Sequence, residues 1–322
     1  MALIFLYFSL FLALHFLSKQ FRRTGAARLF QLVACFILLF GFFGFRDITI
    51  LNDTPHYYGS YYQLTKLRNY VESSVFVYRI LIGFEYGYQV LQHILIKYIS
   101  KEPYTIILVS SLIVTICNIR FWDKRTRNIS LALFMMLLSG TYFEHYSLIR
   151  QSFALMIFYK AYEYLERDEW KRYTALILLA MLFHTSAFVL LILPLLQKIP
   201  VNKRYAMTVM GLAVLFALSV YELFAVFGLT DNVYFVMNKK REAFPLGAML
   251  DGLLMLLLFI ASIYMRGRDG ISEISKTDFW ICIFGLCVCI ITPAFLSFFR
   301  LNVYIWPFVF ALFFRHASRP PQ

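Results

Sequence analysis

Apolar residues dominate this chain in long runs, at roughly 2–17, 28–45, 76–98, 104–122, 129–144, 147–165, 173–196, 205–226, 246–265, 278–297 and 300–315. Many of these approach the ~20 residues a helix needs to span a hydrocarbon core of ~30 Å. The pattern predicts an all-α, polytopic transmembrane bundle of about 10–11 hydrophobic segments, one of them a candidate re-entrant element. The longest polar connections, about 46–75 and 227–245, are too short to fold alone. With no internal repeat and no low-complexity tract, the expectation is a single integral-membrane domain covering 1–322.

Within these runs a few polar residues break the pattern. If 173–196 is one helix rising ~1.5 Å per residue, His184 lies roughly 16 Å along it, near the bilayer midplane. An ionisable ring at that depth marks a functional site unless it is simply a neutral ring hydrogen-bonded within the bundle. A full crossing is the simpler geometry for this run, and a kink at His184 is the alternative. Arg150 sits near one end of its own helix, where a long side chain can snorkel to the headgroups.

Charge adds orientation. The 322 residues are 61% hydrophobic and only 15% charged, yet carry a net charge of +13. The Lys and Arg residues gather in short loops, which reads as positive-inside topology and contact with anionic lipid, not as nucleic-acid binding. The first run has its basic residues after it (Lys19, Arg22, Arg23, Arg28), so it is no removable signal peptide, and the amino terminus is placed outside. The basic stretches 120–127 and 166–172 then share the cytoplasm only if 76–98, with Arg79, Glu85 and His93, makes no full crossing. The basic pieces at 198–204, 266–276 and 315–319 would further require 173–196 to turn back, for which it is too short to make two full crossings. The five cysteines all lie in apolar runs with no metal-ligand spacing, and are read as small hydrophobes.

The remaining candidates each have an ordinary explanation. Arg46 and Asp53 lie in a turn-rich stretch on the outer side, and Asp53 fits a solvated loop. Glu85, beside Gly87, fits a helix end. Arg300 lies between two apolar runs and can snorkel. Aromatic residues form 19% of the chain, mostly as interfacial belts.

Taken in order, Arg46…Asp53-x3-Tyr57, Glu85-x-Gly87, Ile149-Arg150-Gln151-x2-Ala154, Phe183-His184-x-Ser186-Ala187 and Arg300-x3-Tyr304 resemble the EpsG family of Wzy-like polysaccharide polymerases. The resemblance runs from about 40 to 315 and is strongest over 146–196. The chain has Leu51-Asn52-Asp53 where the family often has Gly-x-Asp, Glu85-Tyr86-Gly87 where Glu-Pro-Gly is common, and Ser147 where asparagine is usual.

The resemblance implies a glycosyltransferase on the outer face of the bacterial inner membrane. Such an enzyme polymerises undecaprenyl-pyrophosphate-linked repeat units into O-antigen, capsule or exopolysaccharide, with a chain-length regulator as a possible partner. A pyrophosphate leaving group needs fixed positive charge and no acid, which suits Arg150, Arg300 and Arg46. The attacking hydroxyl needs a base, for which His184 or Asp53 come first and Glu85 third. The family pattern also implies substrate-binding roles for Arg46, Tyr57, Glu85, Gln151 and Tyr304. No Asp-x-Asp motif is present for a nucleotide-sugar metal, and no metal or cofactor is expected. The alternatives are a lipid-linked oligosaccharide flippase, an O-antigen ligase and a membrane acyltransferase. The segment 228–245, with Asp231, Lys239, Lys240 and Arg241, is a candidate acceptor-side lid.

Overall fold

A computed structural model of the chain describes residues 2–20, 25–66, 83–126, 128–228, 235–236, 246–266, 271 and 273–317. Arg79 and most of the candidate lid lie outside the described residues. These contain no strand; they form fourteen α-helices and two 3-10 helices. Two compact units divide the chain at Leu191, and each is described by itself.

The first unit contains α1 (Ala2–Gln20), α2 (Gly25–Gly44), α3 (Thr54–Lys66), α4 (Tyr86–Tyr98), α5 (Thr105–Arg125), α6 (Ile129–Leu138), α7 (Thr141–Ser147), α8 (Ile149–Leu165), α9 (Trp170–Met181) and a 3-10 helix (Thr185–Ile192). Polar side chains at the helix ends fix its directions. Arg28, at the start of α2, pairs with Asp123 at the end of α5. Lys124 pairs with Glu163, and Arg125 lies 3.6 Å from Glu166. The basic stretches that the charge pattern assigns to the cytoplasm therefore meet at one end of the unit, and α5 and α8 run in the same direction.

At the opposite end, the Tyr104 hydroxyl donates to the carbonyls of Gly44, at 3.0 Å, and Arg46, at 2.7 Å. Residues 46 and 104 thus lie together at this end of the unit. Of the run 76–98, residues 83–98 are described, and they carry α4. The stretch 46–75, read from sequence as a loop, carries α3. Thr54 and Pro55 open it, a favourable start because proline at the first turn has no orphan N–H to leave unsatisfied. Tyr57, Tyr61 and Leu64 recur at helical spacing and are buried against α4 and α5.

Two runs expected to be single helices are broken. The run 129–144 divides at Gly140, whose φ is +80°, a conformation open to glycine at little cost. The run 173–196 turns back on itself. The Tyr173 hydroxyl donates to the Leu190 carbonyl at 2.6 Å. In a straight helix these residues would stand about 26 Å apart. The expectation of one crossing with His184 at its midplane is thus corrected: His184 sits at the tip of a hairpin, between α9 and the 3-10 helix.

The second unit holds α10 (Leu193–Lys198), α11 (Lys203–Val226), α12 (Leu246–Tyr264), α13 (Lys276–Ile291), a 3-10 helix (Leu296–Leu301) and α14 (Asn302–Ala317), with α13 packed against the other four α-helices. Across the described residues, five helices are long and apolar enough to span a membrane, at Gly25–Gly44, Thr105–Arg125, Lys203–Val226, Leu246–Tyr264 and Leu296–Phe314. The predicted segments 76–98, 129–144, 147–165, 173–196 and 278–297 are shorter or broken helices among the described residues. The all-α polytopic bundle read from the hydrophobic runs is the observed fold class.

Candidate functional site

The hairpin tip is held by backbone groups that helix ends leave without partners. At the end of α9, the Leu182 carbonyl accepts the N–H of Gly87, in the first turn of α4, at 2.7 Å. Glu85, one residue before α4, accepts the N–H of Thr185 at 3.2 Å. Two helix starts and one helix end are therefore satisfied by one another. A Cβ at position 87 would fall 2.8 Å from the Leu182 oxygen. Glycine is required there by this close approach of two backbones. Gly87→Ala is expected to push the tip away and free His184 and Thr185 from Glu85. A reporter thiol at Thr185 (Thr185→Cys) should then be alkylated faster in the Gly87→Ala background, and an unchanged rate would count against this anchoring role.

Glu85 is the hub. One carboxylate oxygen lies 2.9 Å from His184 Nδ1, and the other accepts from Arg150 Nη1. The three side chains are mostly buried, with 11% of Glu85, 20% of His184 and 21% of Arg150 exposed, so solvent still reaches the cluster. Glu85 lies outside the five span candidates. Burial pushes its carboxyl up, but the His184 hydrogen bond and the charges of Arg150 and His184 outweigh this and hold it at about 2, as paired and hydrogen-bonded carboxylates are held. Stability linked to this carboxylate is full above its ordinary value of 4.5 and is lost only as pH falls toward about 2, because protonation removes what the folded state stabilises.

An ionised carboxylate can only accept. His184 Nδ1 therefore carries a proton towards Glu85, and Nε2 has no hydrogen-bond partner among the described residues. The Arg150 guanidinium lies 4.5 Å from the Phe84 ring and 6.0 Å from the Tyr57 ring. Aromatic faces at such distances help hold the cation in place.

Asp53 is next to this cluster along the chain's packing. Its N–H donates to Ser147 Oγ at 3.3 Å, one turn before Arg150, and its own turn leads to Tyr57. Its half-buried carboxylate makes no hydrogen bond or ion pair among the described residues. Gln151, beside Arg150, is buried in α8 and does not share Arg150's exposure.

Arg46 differs from Arg150. It is 4% exposed and donates to the Phe43 carbonyl, to Ser111 Oγ at 2.9 Å, to Thr54 Oγ1 at 3.2 Å and to the Tyr146 carbonyl at 2.9 Å. Its two terminal nitrogens are committed to neutral protein acceptors on four segments, and it joins Thr54, just after Asp53, to Tyr146, one turn before Arg150.

Arg300 and Tyr304 belong to the second unit. Arg300 is exposed on the 3-10 helix Leu296–Leu301, and Tyr304 is fully buried in α14. The same unit holds a polar knot that sequence reading missed. Asp251 accepts from Asn302 Nδ2 and Trp306 Nε1, both at 3.0 Å. The visible clue was an acid alone in the otherwise apolar run 246–265. The roles of Phe84, Thr185 and Ser147 in the first unit were also missed, because their partners lie far away in sequence.

These features define a class: a polytopic helical membrane protein with an arginine, a carboxylate and a histidine gathered in one partly exposed cluster. The chain belongs to the EpsG family, whose sequence profile matches residues 28–318. That membership places it among the membrane proteins of polysaccharide biosynthesis. No curated protein and no solved structure matches it.

Proposed function

We propose that the chain is a Wzy-type polymerase. It transfers a growing glycan from undecaprenyl pyrophosphate to the non-reducing end of a new lipid-linked repeat unit. The observation that carries this reading is Glu85, which joins Arg150 and His184 from two distant segments into one cluster. His184 Nε2 takes the proton of the attacking hydroxyl while Glu85 fixes the ring and supports the imidazolium that forms. The hydroxyl oxygen bonds to the anomeric carbon, and the bond from that carbon to the pyrophosphate oxygen breaks. The electron pair leaves on the diphosphate, where Arg150 supplies fixed positive charge in a water-poor site. Asp53, uncommitted beside them, is placed to hold acceptor hydroxyls.

The end of the first unit that carries the Glu85 cluster is opposite the basic end, and the positive-inside rule puts the cluster outside the cytoplasm. That suits polymerisation at the outer face of the bacterial inner membrane. The test is direct. Purified protein in detergent, given only a lipid-linked repeat unit, should produce a ladder of longer lipid-linked glycans. A flippase would leave the substrate unchanged, and a ligase would label a lipid A core acceptor instead; either result would replace this reading.

A further inference from the structure

The basic end of the first unit holds a cavity that the chemistry proposed at Glu85 does not use. It has a volume of about 210 Å³ and lies between α5 and α8. Four cations line it: Arg120, Lys124, Arg125 and Lys160. Glu163 is the one acid among the lining residues, and both lysines pair with it. Arg125 is held separately, beside Glu166 and over the rings of Tyr162, at 4.2 Å, and Phe121, at 5.1 Å. Arg120 is exposed and makes no hydrogen bond or ion pair among the described residues.

Positive charge thus exceeds negative charge in a recess, and one guanidinium there is uncommitted. The recess also has an apolar side. Cys117 and Met156 line it deeper along the two helices, and the rings of Phe121 and Tyr159 stack at 4.1 Å, 18° apart. A free inorganic anion would use the cations and gain nothing from this wall. A phosphodiester with glycerol and acyl carbons attached would use both. Its depth also suits a lipid. Lys160 follows Arg150 on α8, toward the end where the basic loops meet. At the helical rise per residue the two stand about 15 Å apart along the axis.

We propose that this recess binds the headgroup of an anionic phospholipid in the cytoplasmic leaflet. The phosphodiester lies against Arg120, Lys124 and Lys160, and the first acyl carbons lie against Met156 and Cys117. Arginine suits the phosphate because its planar fork offers paired donors. Basic recesses between transmembrane helices on the cytoplasmic side are known to favour such headgroups.

The test uses the full-length protein in detergent with short-chain fluorescent phosphatidylglycerol as the probe. Unlabelled phosphatidylglycerol, phosphatidylcholine and inorganic phosphate serve as competitors. Phosphatidylglycerol should compete at least about tenfold better than phosphatidylcholine, and millimolar phosphate should barely compete. The double variant Arg120→Gln/Lys160→Gln should lose roughly ten- to thirtyfold in probe affinity and keep its melting temperature. A control variant, Lys171→Gln/Arg172→Gln, removes two cations from the same basic end without touching the recess, and should bind as wild type does. Equal competition by the two lipids would overturn the proposal, as would full displacement by phosphate, which assigns the recess to a soluble anion. So would an equal loss in the control variant, which reduces the effect to general surface charge.

Discussion

Glu85→Gln is expected to lower the polymerisation rate by roughly 10²–10⁴-fold, the range that a positioned base contributes. It should do so with little change in the amount of protein in the membrane. The amide keeps the size of the side chain, but it cannot hold the Nδ1 proton by an ionised acceptor or support an imidazolium at His184. It also removes the counter-charge of Arg150. The loss should therefore fall mainly on kcat, while KM for the lipid-linked donor stays the same or drops as Arg150 is released to the pyrophosphate. His184→Ala should share the rate loss, and added imidazole should restore part of it, because only the base is missing. Arg150→Ala should also abolish long glycans, and imidazole should not restore them. The decisive measurement is glycan length per unit time from purified variants. If Glu85→Gln and His184→Ala both give full-length polymer at wild-type rate, the dyad has no part in the chemistry.

The hub role of Glu85 was not legible in the sequence, and the reason is physical. Hydropathy records how apolar a run is, not whether it crosses or folds back. The run 173–196 is apolar throughout, so one crossing and one hairpin look alike until the Tyr173–Leu190 and Gly87–Leu182 contacts are known. Once the tip is placed there, Glu85 becomes the only carboxylate within hydrogen-bond reach of His184 among the described residues, although sequence reading ranked it below Asp53. Other features were readable. The segment ends read at 45, 104, 147, 165, 226 and 265 fall within a few residues of the observed helix ends, because a long uniform run leaves little freedom beyond the usual fraying of helix ends. The sharing of one end by residues 120–127 and 166–172 followed from charge alone. The spacing of Tyr57, Tyr61 and Leu64 could have revealed α3, but its polar composition read as a loop. Departure of the chain from the family pattern at Leu51 and Ser147 did not disperse the site, since Ser147 still holds the backbone of Asp53.

Arg46→Ala is expected to destabilise the folded protein by about 3 kcal/mol or more, because it leaves buried acceptors on four segments without their donor. At roughly 2–4 °C per kcal/mol for a unit of this size, the melting temperature in detergent should fall by about 6–12 °C. Arg150→Ala has no comparable burden. That side chain is partly exposed and anchors no backbone carbonyl through a described hydrogen bond, so its variant should melt within a few degrees of wild type while losing polymerisation. The sequence grouped the two arginines as phosphate ligands, but the geometry separates them. Arg46 holds Thr54 and the Tyr146 carbonyl in place, and so fixes Asp53 and Arg150 relative to each other. Its effect on rate therefore passes through position. Arg46→Lys should recover part of the melting temperature and less of the rate, because an ammonium keeps the charge but cannot reach four acceptors with a planar fork. If Arg46→Ala melts like wild type yet makes no polymer, Arg46 serves the substrate directly, and the caged guanidinium is not what keeps Asp53 and Arg150 in place.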